Sequence, residues 1–167
     1  MHARPGEPRG IRTRVVVHFP LLLKSSRNHC LGALAAALSA WLYLGTETGV
    51  VVFRAIMSAA IAGLILGRLA LYLITIVDLN RWKTAALSGL ITGLIIHPLM
   101  WSIFVTWSRW AVFFEGKLPK GSLLGDLYSA LFWSQASVMY GFLVTIPAMT
   151  IAAYLTQKDD SLGENGG

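Results

Sequence analysis

The chain has 167 residues, of which 55% are hydrophobic and only 13% are charged. A soluble domain usually contains about 25% charged residues, so this composition predicts that lipid solvates much of the chain. The net charge of +6 does not indicate nucleic-acid binding, because the basic residues form no patch interleaved with base-stacking aromatics. Cys30 is the single cysteine, which excludes an intramolecular disulfide and a CxxC metal site within this sequence.

The first 25 residues predict a basic arm on the cytoplasmic side or at the membrane interface. Prolines at Pro5, Pro8 and Pro20 interrupt it, and its early part has the composition of a disordered segment. The apolar stretch from Val15 to Leu23 is too short to cross a bilayer and is typical of a segment on the inner leaflet. His29, next to Cys30, is expected at the interface.

Four apolar stretches predict transmembrane helices, since a bilayer requires about 20 consecutive apolar residues. The predicted spans are residues 26–45, 50–77, 85–107 and 128–155, and residues 156–167 form a polar tail that is expected to be disordered. Pro98 and Pro147 lie inside the third and fourth spans and are expected to kink them. The predicted fold is all-α, a polytopic transmembrane four-helix bundle with kinked third and fourth helices.

The distribution of lysine and arginine predicts the orientation, because cytoplasmic segments carry an excess of both residues. With the N-terminus inside, inner segments hold nine of the basic residues and outer segments hold four, with Arg68 left out because it lies within a span. Both termini are therefore expected in the cytoplasm, and the default membrane is a bacterial inner membrane.

Small residues recur at every fourth position in the spans. They include Ala59, Gly63 and Gly67 in the second span, Gly89 and Gly93 in the third, and Ser137, Gly141 and Thr145 in the fourth. Membrane helices associate by close backbone approach, which small side chains permit. The stripes predict packing within the bundle, although one of them could dock a helix of another protein.

Aromatic residues mark the connection between the third and fourth spans. Trp107, Trp110 and Phe114 have the spacing of one face of a short helix lying in the outer interface. The simplest interpretation is a membrane anchor, and the alternative is a lid or a docking surface for a partner.

Arg68 is the main anomaly, because an arginine at the centre of a span costs about 2.5–3.5 kcal/mol on an insertion scale. One interpretation is that its long side chain snorkels to the inner headgroups. The other is an intramembrane polar cluster formed by Arg68, Thr92, His97 and Tyr140, which are expected at similar depths. No carboxylate lies at that depth, so Arg68 would need carbonyls, a lipid phosphate, an anionic ligand or an acidic residue of another subunit.

His97 precedes Pro98, which frees the carbonyl of Leu94 from its helical hydrogen bond. A kinked helix with a histidine can line a water-filled path and relay protons. It can equally be a static bend whose polar groups are satisfied by neighbouring helices.

The sequence contains no motif that indicates a particular reaction. There is no P-loop, HExxH or GxSxG, and no pair of acidic residues lies inside a span, so neither an enzyme, a metal nor a cofactor is expected. The favoured function is an accessory, assembly or regulatory subunit of a larger membrane system, whose partners are the bilayer and another membrane protein or a second copy. The alternative is a homo-oligomeric transporter or channel for an anion or protons.

Overall fold

The computed structural model describes residues 19–44, 49–77 and 79–158. It describes their side chains except those of Ala40, Trp41, Tyr43, Leu44, Tyr140 and Lys158. Most of the predicted N-terminal arm, the turn before Gly49, Asp78 and the tail from residue 159 lie outside the described residues. In the described part of the chain all regular structure is helical, in the order α1 (Phe19–Leu44), α2 (Gly49–Ile76), α3 (Arg81–Phe114) and α4 (Leu123–Lys158).

Two of these helices, α2 and α3, are long and apolar enough to cross a membrane. α4 has two parts, Leu123–Met139 and Gly141–Gln157, which meet at 82°, and it makes a third candidate if the two parts form one bent span. The described part of the chain therefore has five helical segments and two or three candidate membrane-spanning helices, which indicates membrane association.

Three helices are longer than the predicted spans. α1 begins at Phe19, inside the predicted arm, because Pro20 occupies the first helical turn, where a missing N–H costs nothing. α3 continues to Phe114, so the aromatic residues expected on a separate interfacial helix lie on its last turns. α4 begins at Leu123, where the Ser122 hydroxyl accepts a hydrogen bond from the backbone N–H of Gly125 at 3.1 Å, as an N-cap does.

α4 bends at Tyr140, and the kink at Pro147 stays a prediction. Pro147 frees the carbonyl of Leu143, whereas the two parts of α4 meet at Tyr140, about one turn earlier. Gly141 follows the bend directly, and glycine is one of the identifiable causes of sharp kinks. α3 runs through Pro98 as one continuous helix.

The packing joins α1 to α2 and α4, and α3 to the same two helices. Glycines lie at the closest approaches: a Cβ on Gly63 would be 2.6 Å from the carbonyl oxygen of His29, and one on Gly67 would overlap the backbone of Ser26. On α3, Cβ atoms on Gly89 and Gly93 would overlap or crowd the backbone of α4 at Thr150 and Ile146. The backbones therefore meet almost directly at these positions.

Small and polar residues make up most of the interior, and many large apolar side chains face outward. The central cluster of buried residues consists of Ala33, Ala59, Ala62, Leu66, Ile96 and Met149. The described buried polar residues include serines, threonines and two histidines, and the exposed residues include many leucines, isoleucines and aromatics. This distribution is the reverse of that expected for a chain surrounded by water.

Candidate functional site

His97 is the centre of the best-defined polar group in the interior. It lies on α3, is 5% exposed, and directs both ring nitrogens at hydroxyl groups of α4. Nδ1 lies 2.7 Å from Oγ of Ser137, and Nε2 lies 3.0 Å from Oγ1 of Thr145. One imidazole thus joins α3 to two turns of α4.

The hydrogen-bond pattern assigns the tautomer of this imidazole. The Thr145 hydroxyl donates to the carbonyl oxygen of Gly141, so its oxygen accepts from His97 and Nε2 carries the proton. In the neutral ring Nδ1 is then the acceptor, and it receives the hydroxyl proton of Ser137. The bonds run in one direction, from Ser137 through His97 and Thr145 to the Gly141 carbonyl.

The two hydroxyl groups lie on opposite sides of the bend in α4. Ser137 belongs to the part that ends at Met139, and Thr145 belongs to the part that starts at Gly141. A Cβ on Gly141 would be 2.9 Å from Cε1 of His97, so the ring occupies the space beside this glycine. His97 therefore holds both parts of α4 against α3.

The predicted cluster of Arg68, Thr92, His97 and Tyr140 is brought together only in part. Thr92 and His97 are both buried on α3, but the Thr92 hydroxyl donates to the carbonyl of Ser88 on its own helix at 2.7 Å. Arg68 is exposed on the outside of α2, and the described residues supply it with no hydrogen-bond or ion-pair partner. The side chain of Tyr140 lies outside the described residues.

A second polar group, which the sequence analysis did not identify, lies where α1 meets α2. His29 was expected at the interface but is completely buried, and its Nδ1 donates to the carbonyl of Ser25 at 2.9 Å. The Ser25 hydroxyl donates to the carbonyl of Gly67 at 2.6 Å and so bonds α1 to α2. The spacing of Ser25, His29, Ala33 and Ala36, all of them buried, is the signal that could have placed His29 on an inward face.

Three buried polar atoms near this end have no hydrogen-bond partner among the described residues: Nε2 of His29, Nε of Arg81 and Oγ of Ser88. Asn28 adds a bond from α1 to α4, since its side-chain amide donates to the Thr156 hydroxyl at 3.2 Å. On α3, the guanidinium carbon of Arg81 lies 4.4 Å from the ring centroid of Tyr154, and Trp82 stacks on the same ring at 4.2 Å. These contacts tie α1, α3 and α4 together at one end.

The opposite end holds a groove of about 290 Å³ beside the connection from α3 to α4. It is lined by Thr106, Arg109, Trp110, Phe113, Pro119 and Leu123. The guanidinium of Arg109 forms an ion pair with Asp126 and donates to the carbonyl of Gly121 at 2.9 Å, so its charge is already compensated.

The aromatic residues of this end fall into two sets. Trp110, Phe113 and Phe114 contact one another, with ring centroids 6.0–6.3 Å apart, and all three are exposed. Trp107 turns inward and makes an edge contact with Phe53 of α2, at a centroid distance of 6.4 Å. The exposed set faces the surroundings, and Trp107 belongs to the packing between α2 and α3.

Comparison with known proteins adds no family assignment, because no family model, curated protein or solved structure matches the chain. Among the described residues no group of three or more histidine, cysteine or acidic side chains could hold a metal ion. The best-defined polar contacts between helices in the described interior are the hydrogen bonds of His97 to α4.

Proposed function

We propose that the chain is a small multi-pass membrane protein in which α1 to α4 cross the bilayer as a bundle with kinks. The outward-facing leucines, isoleucines and aromatics support this arrangement, because lipid tails solvate such side chains and water does not. Glycines at four-residue spacing on α2 and α3 support it as well, because close backbone contact is what holds helices together in lipid. α1 has Lys24, Arg27 and Asn28 near its start, which fits a span whose first turns lie among headgroups.

The proposed function is that of an accessory, assembly or regulatory subunit of a larger membrane system. The observation that carries it is the use of the interior polar groups: both nitrogens of His97 are bonded to hydroxyls of α4. These groups fix one helix to another, and the ring has no nitrogen left for a substrate or an ion. A bundle whose central histidine is bonded on both sides to a neighbouring helix is suited to presenting its outer surface to other proteins.

The experiment for this proposal is native mass spectrometry of the tagged protein, purified from its own membrane in a mild detergent. We expect a stable complex that contains a different membrane protein in a defined ratio. A homo-oligomer of defined size with no foreign subunit would contradict the accessory function and would favour the second candidate below.

The second candidate is a homo-oligomeric channel or transporter for protons, and one observation favours it. The hydrogen bonds around His97 run in one direction, from Ser137 through the imidazole to Thr145. In this mechanism a hydronium ion on one side gives a proton to the Ser137 hydroxyl as that hydroxyl passes its own proton to Nδ1, Nε2 passes its proton to the Thr145 hydroxyl, and the proton that Thr145 gives up goes to water on the other side. The ring is then neutral with its proton on Nδ1, and it returns to the starting tautomer before the next transfer. Several copies would have to surround the path of the protons, because a single bundle of four helices is too small to enclose it.

A proton-flux assay in liposomes with a trapped pH dye separates the two candidates. Proton conduction requires Ser137→Ala to abolish flux at an unchanged amount of folded protein. Ser129→Ala is the matched control, because the Ser129 hydroxyl lies on the same helix, is exposed and bonds only to the carbonyl of Gly125. Equal, background-level flux for wild type and both variants would reject the channel.

The proposed location is the inner membrane of a bacterial cell, with both termini in the cytoplasm. The support is the excess of lysine and arginine in the segments assigned to the inner side. In this orientation the connection between α3 and α4 faces outward, and the residues between α2 and α3 face the cytoplasm.

A further inference from the structure

Arg68 lies on a face of α2 that no other described helix covers. Leu64, Arg68, Tyr72 and Ile76 are spaced four residues apart and are all exposed, so they form a continuous stripe, here named the α2 outer face. Three of its four members are apolar or aromatic. Arg68 is thus a single charged residue within a surface whose other side chains are suited to contact with lipid.

Two features of α2 oppose escape of the Arg68 side chain to the headgroups: the direction of that side chain and the neighbouring Tyr72. Arg68 lies eight positions before Ile76, the last residue of α2, which corresponds to about 12 Å of helix rise. Side chains on a helix lean toward its N-terminus, so that of Arg68 leans away from the nearer end of α2. Tyr72, which is 61% exposed, stands on the same face between Arg68 and that end.

Within the described ranges, no acidic side chain pairs with Arg68. Asp126, at the start of α4, is the only acidic residue in the four helices, and it pairs with Arg109 at the other end of the fold. A second copy packed on the α2 outer face would therefore bring no carboxylate from its own helices. A buried or lipid-embedded arginine is stabilised by an opposite charge, and a carboxylate in a helix of a different protein would supply that charge at this depth.

We propose that the α2 outer face docks a transmembrane helix of another protein, and that an aspartate or glutamate within that helix pairs with Arg68. This inference rests on the proposed function as an accessory subunit and specifies where and by what chemistry the larger system is bound. Leu64, Tyr72 and Ile76 supply the apolar contact, and the ion pair sets the depth and register of the partner helix.

The test combines native mass spectrometry with photocrosslinking in the native membrane. In one variant a photoreactive phenylalanine analogue replaces Leu64, one turn from Arg68. In a second variant of the same chain the analogue replaces Leu90 on the outside of α3. The two positions are matched, because both leucines are 44% exposed on candidate spans. Each is combined with wild-type Arg68, Arg68→Leu and Arg68→Lys, and thermal unfolding in detergent checks that every variant is folded.

The expected result is an adduct from position 64, but not from position 90, to a membrane segment of another protein that contains an aspartate or glutamate. Arg68→Leu should abolish both the adduct and the co-purifying subunit, and Arg68→Lys should retain them because the charge remains. Lys83→Leu is the control for loss of a cation elsewhere, since Lys83 is an exposed residue at the start of α3, and it should retain the subunit.

Several outcomes would overturn the inference. A foreign subunit that remains bound to Arg68→Leu would reject the docking mode and leave the accessory function standing. Adducts only to phospholipid or to a second copy would reject the proposed partner, as would a crosslinked segment without an acidic residue. Absence of any foreign subunit from the wild type would reject the accessory function and this inference together.

Discussion

His97 and Thr145 are joined by a hydrogen bond of 3.0 Å from Nε2 to Oγ1, which connects α3 to α4 just beyond the bend in α4. The same threonine donates to the carbonyl of Gly141, so it satisfies the imidazole and a backbone carbonyl with one hydroxyl group. In lipid there is no water to replace either bond. The bend in α4 and the position of α3 therefore depend on the same side chain.

Thr145→Val should destabilise the fold, because valine keeps the shape of threonine but leaves Nε2 of His97 buried without an acceptor. An unsatisfied buried donor costs about 1–3 kcal/mol, and we expect a loss of that size in the free energy of unfolding, measured by SDS titration in mixed micelles. Thr106→Val is the matched control: the Thr106 hydroxyl bonds to the carbonyl of Ser102 on its own helix and is exposed. A similar loss for both variants would show that the bond to His97 contributes nothing of its own.

Gly63→Ala should weaken the packing of α1 on α2. The added Cβ would lie 2.6 Å from the carbonyl oxygen of His29 and 2.9 Å from Cα of Cys30, and backbone atoms cannot yield as a flexible side chain can. Overpacking of this kind costs about 1–3 kcal/mol, read as a lower free energy of unfolding in the same titration.

Gly49→Ala tests whether the loss of stability in Gly63→Ala comes from the contact with α1 or from the replacement of a glycine in α2. Gly49 starts the same helix, and a Cβ there would meet nothing within 4 Å. We expect it to leave the stability of the protein unchanged. Gly63→Ala without any loss would mean that α1 and α2 are farther apart than the glycine contacts indicate.

Arg109→Ala should loosen the connection between α3 and α4. Arg109 pairs with Asp126 and donates to the carbonyl of Gly121 at 2.9 Å, so it ties both ends of the connection together. Because the pair is partly exposed to solvent, the expected cost is about 1 kcal/mol. Faster amide hydrogen exchange in residues 115–126 would report the change.

Lys117→Ala is the control for this prediction. Lys117 also forms an ion pair, with Glu115 at 3.2 Å, but the two side chains are 72% and 56% exposed and hold nothing else in place. Water screens such a pair, so amide exchange should match that of the wild type. Equal exchange in the two variants would show that the Gly121 contact does not order the connection.

The helices could be predicted from the sequence to different extents. α2 begins at Gly49 and ends at Ile76, within one residue of the predicted span, because glycines and polar residues interrupt the apolar run at both ends. α1 and α4 begin before the predicted spans, at Phe19 and Leu123. Pro20 was read as a breaker although it fits a first turn, and Ser122 was not recognised as an N-cap.

The candidate site was harder to predict, because contacts between helices depend on how each helix is rotated about its axis. His97 was singled out, but Arg68 and Tyr140 were proposed as its neighbours from their depth alone. The observed partners, Ser137 and Thr145, had been identified as members of the small-residue stripe of the fourth span. Depth along a helix can be counted from the sequence, whereas the direction that a side chain takes across the bundle requires the packing.

The proposed orientation predicts which connections are accessible from each side of the membrane. Lys83 follows the connection between α2 and α3, Lys120 lies in the connection between α3 and α4, and both residues are exposed. In a Cys30→Ser background, Lys120→Cys should react with a membrane-impermeant maleimide added to spheroplasts, and Lys83→Cys should react only after permeabilisation. The opposite pattern would place both termini outside. Reaction of both cysteines in sealed spheroplasts would mean that α3 does not cross the membrane, because one uninterrupted helix, Arg81–Phe114, connects the two positions.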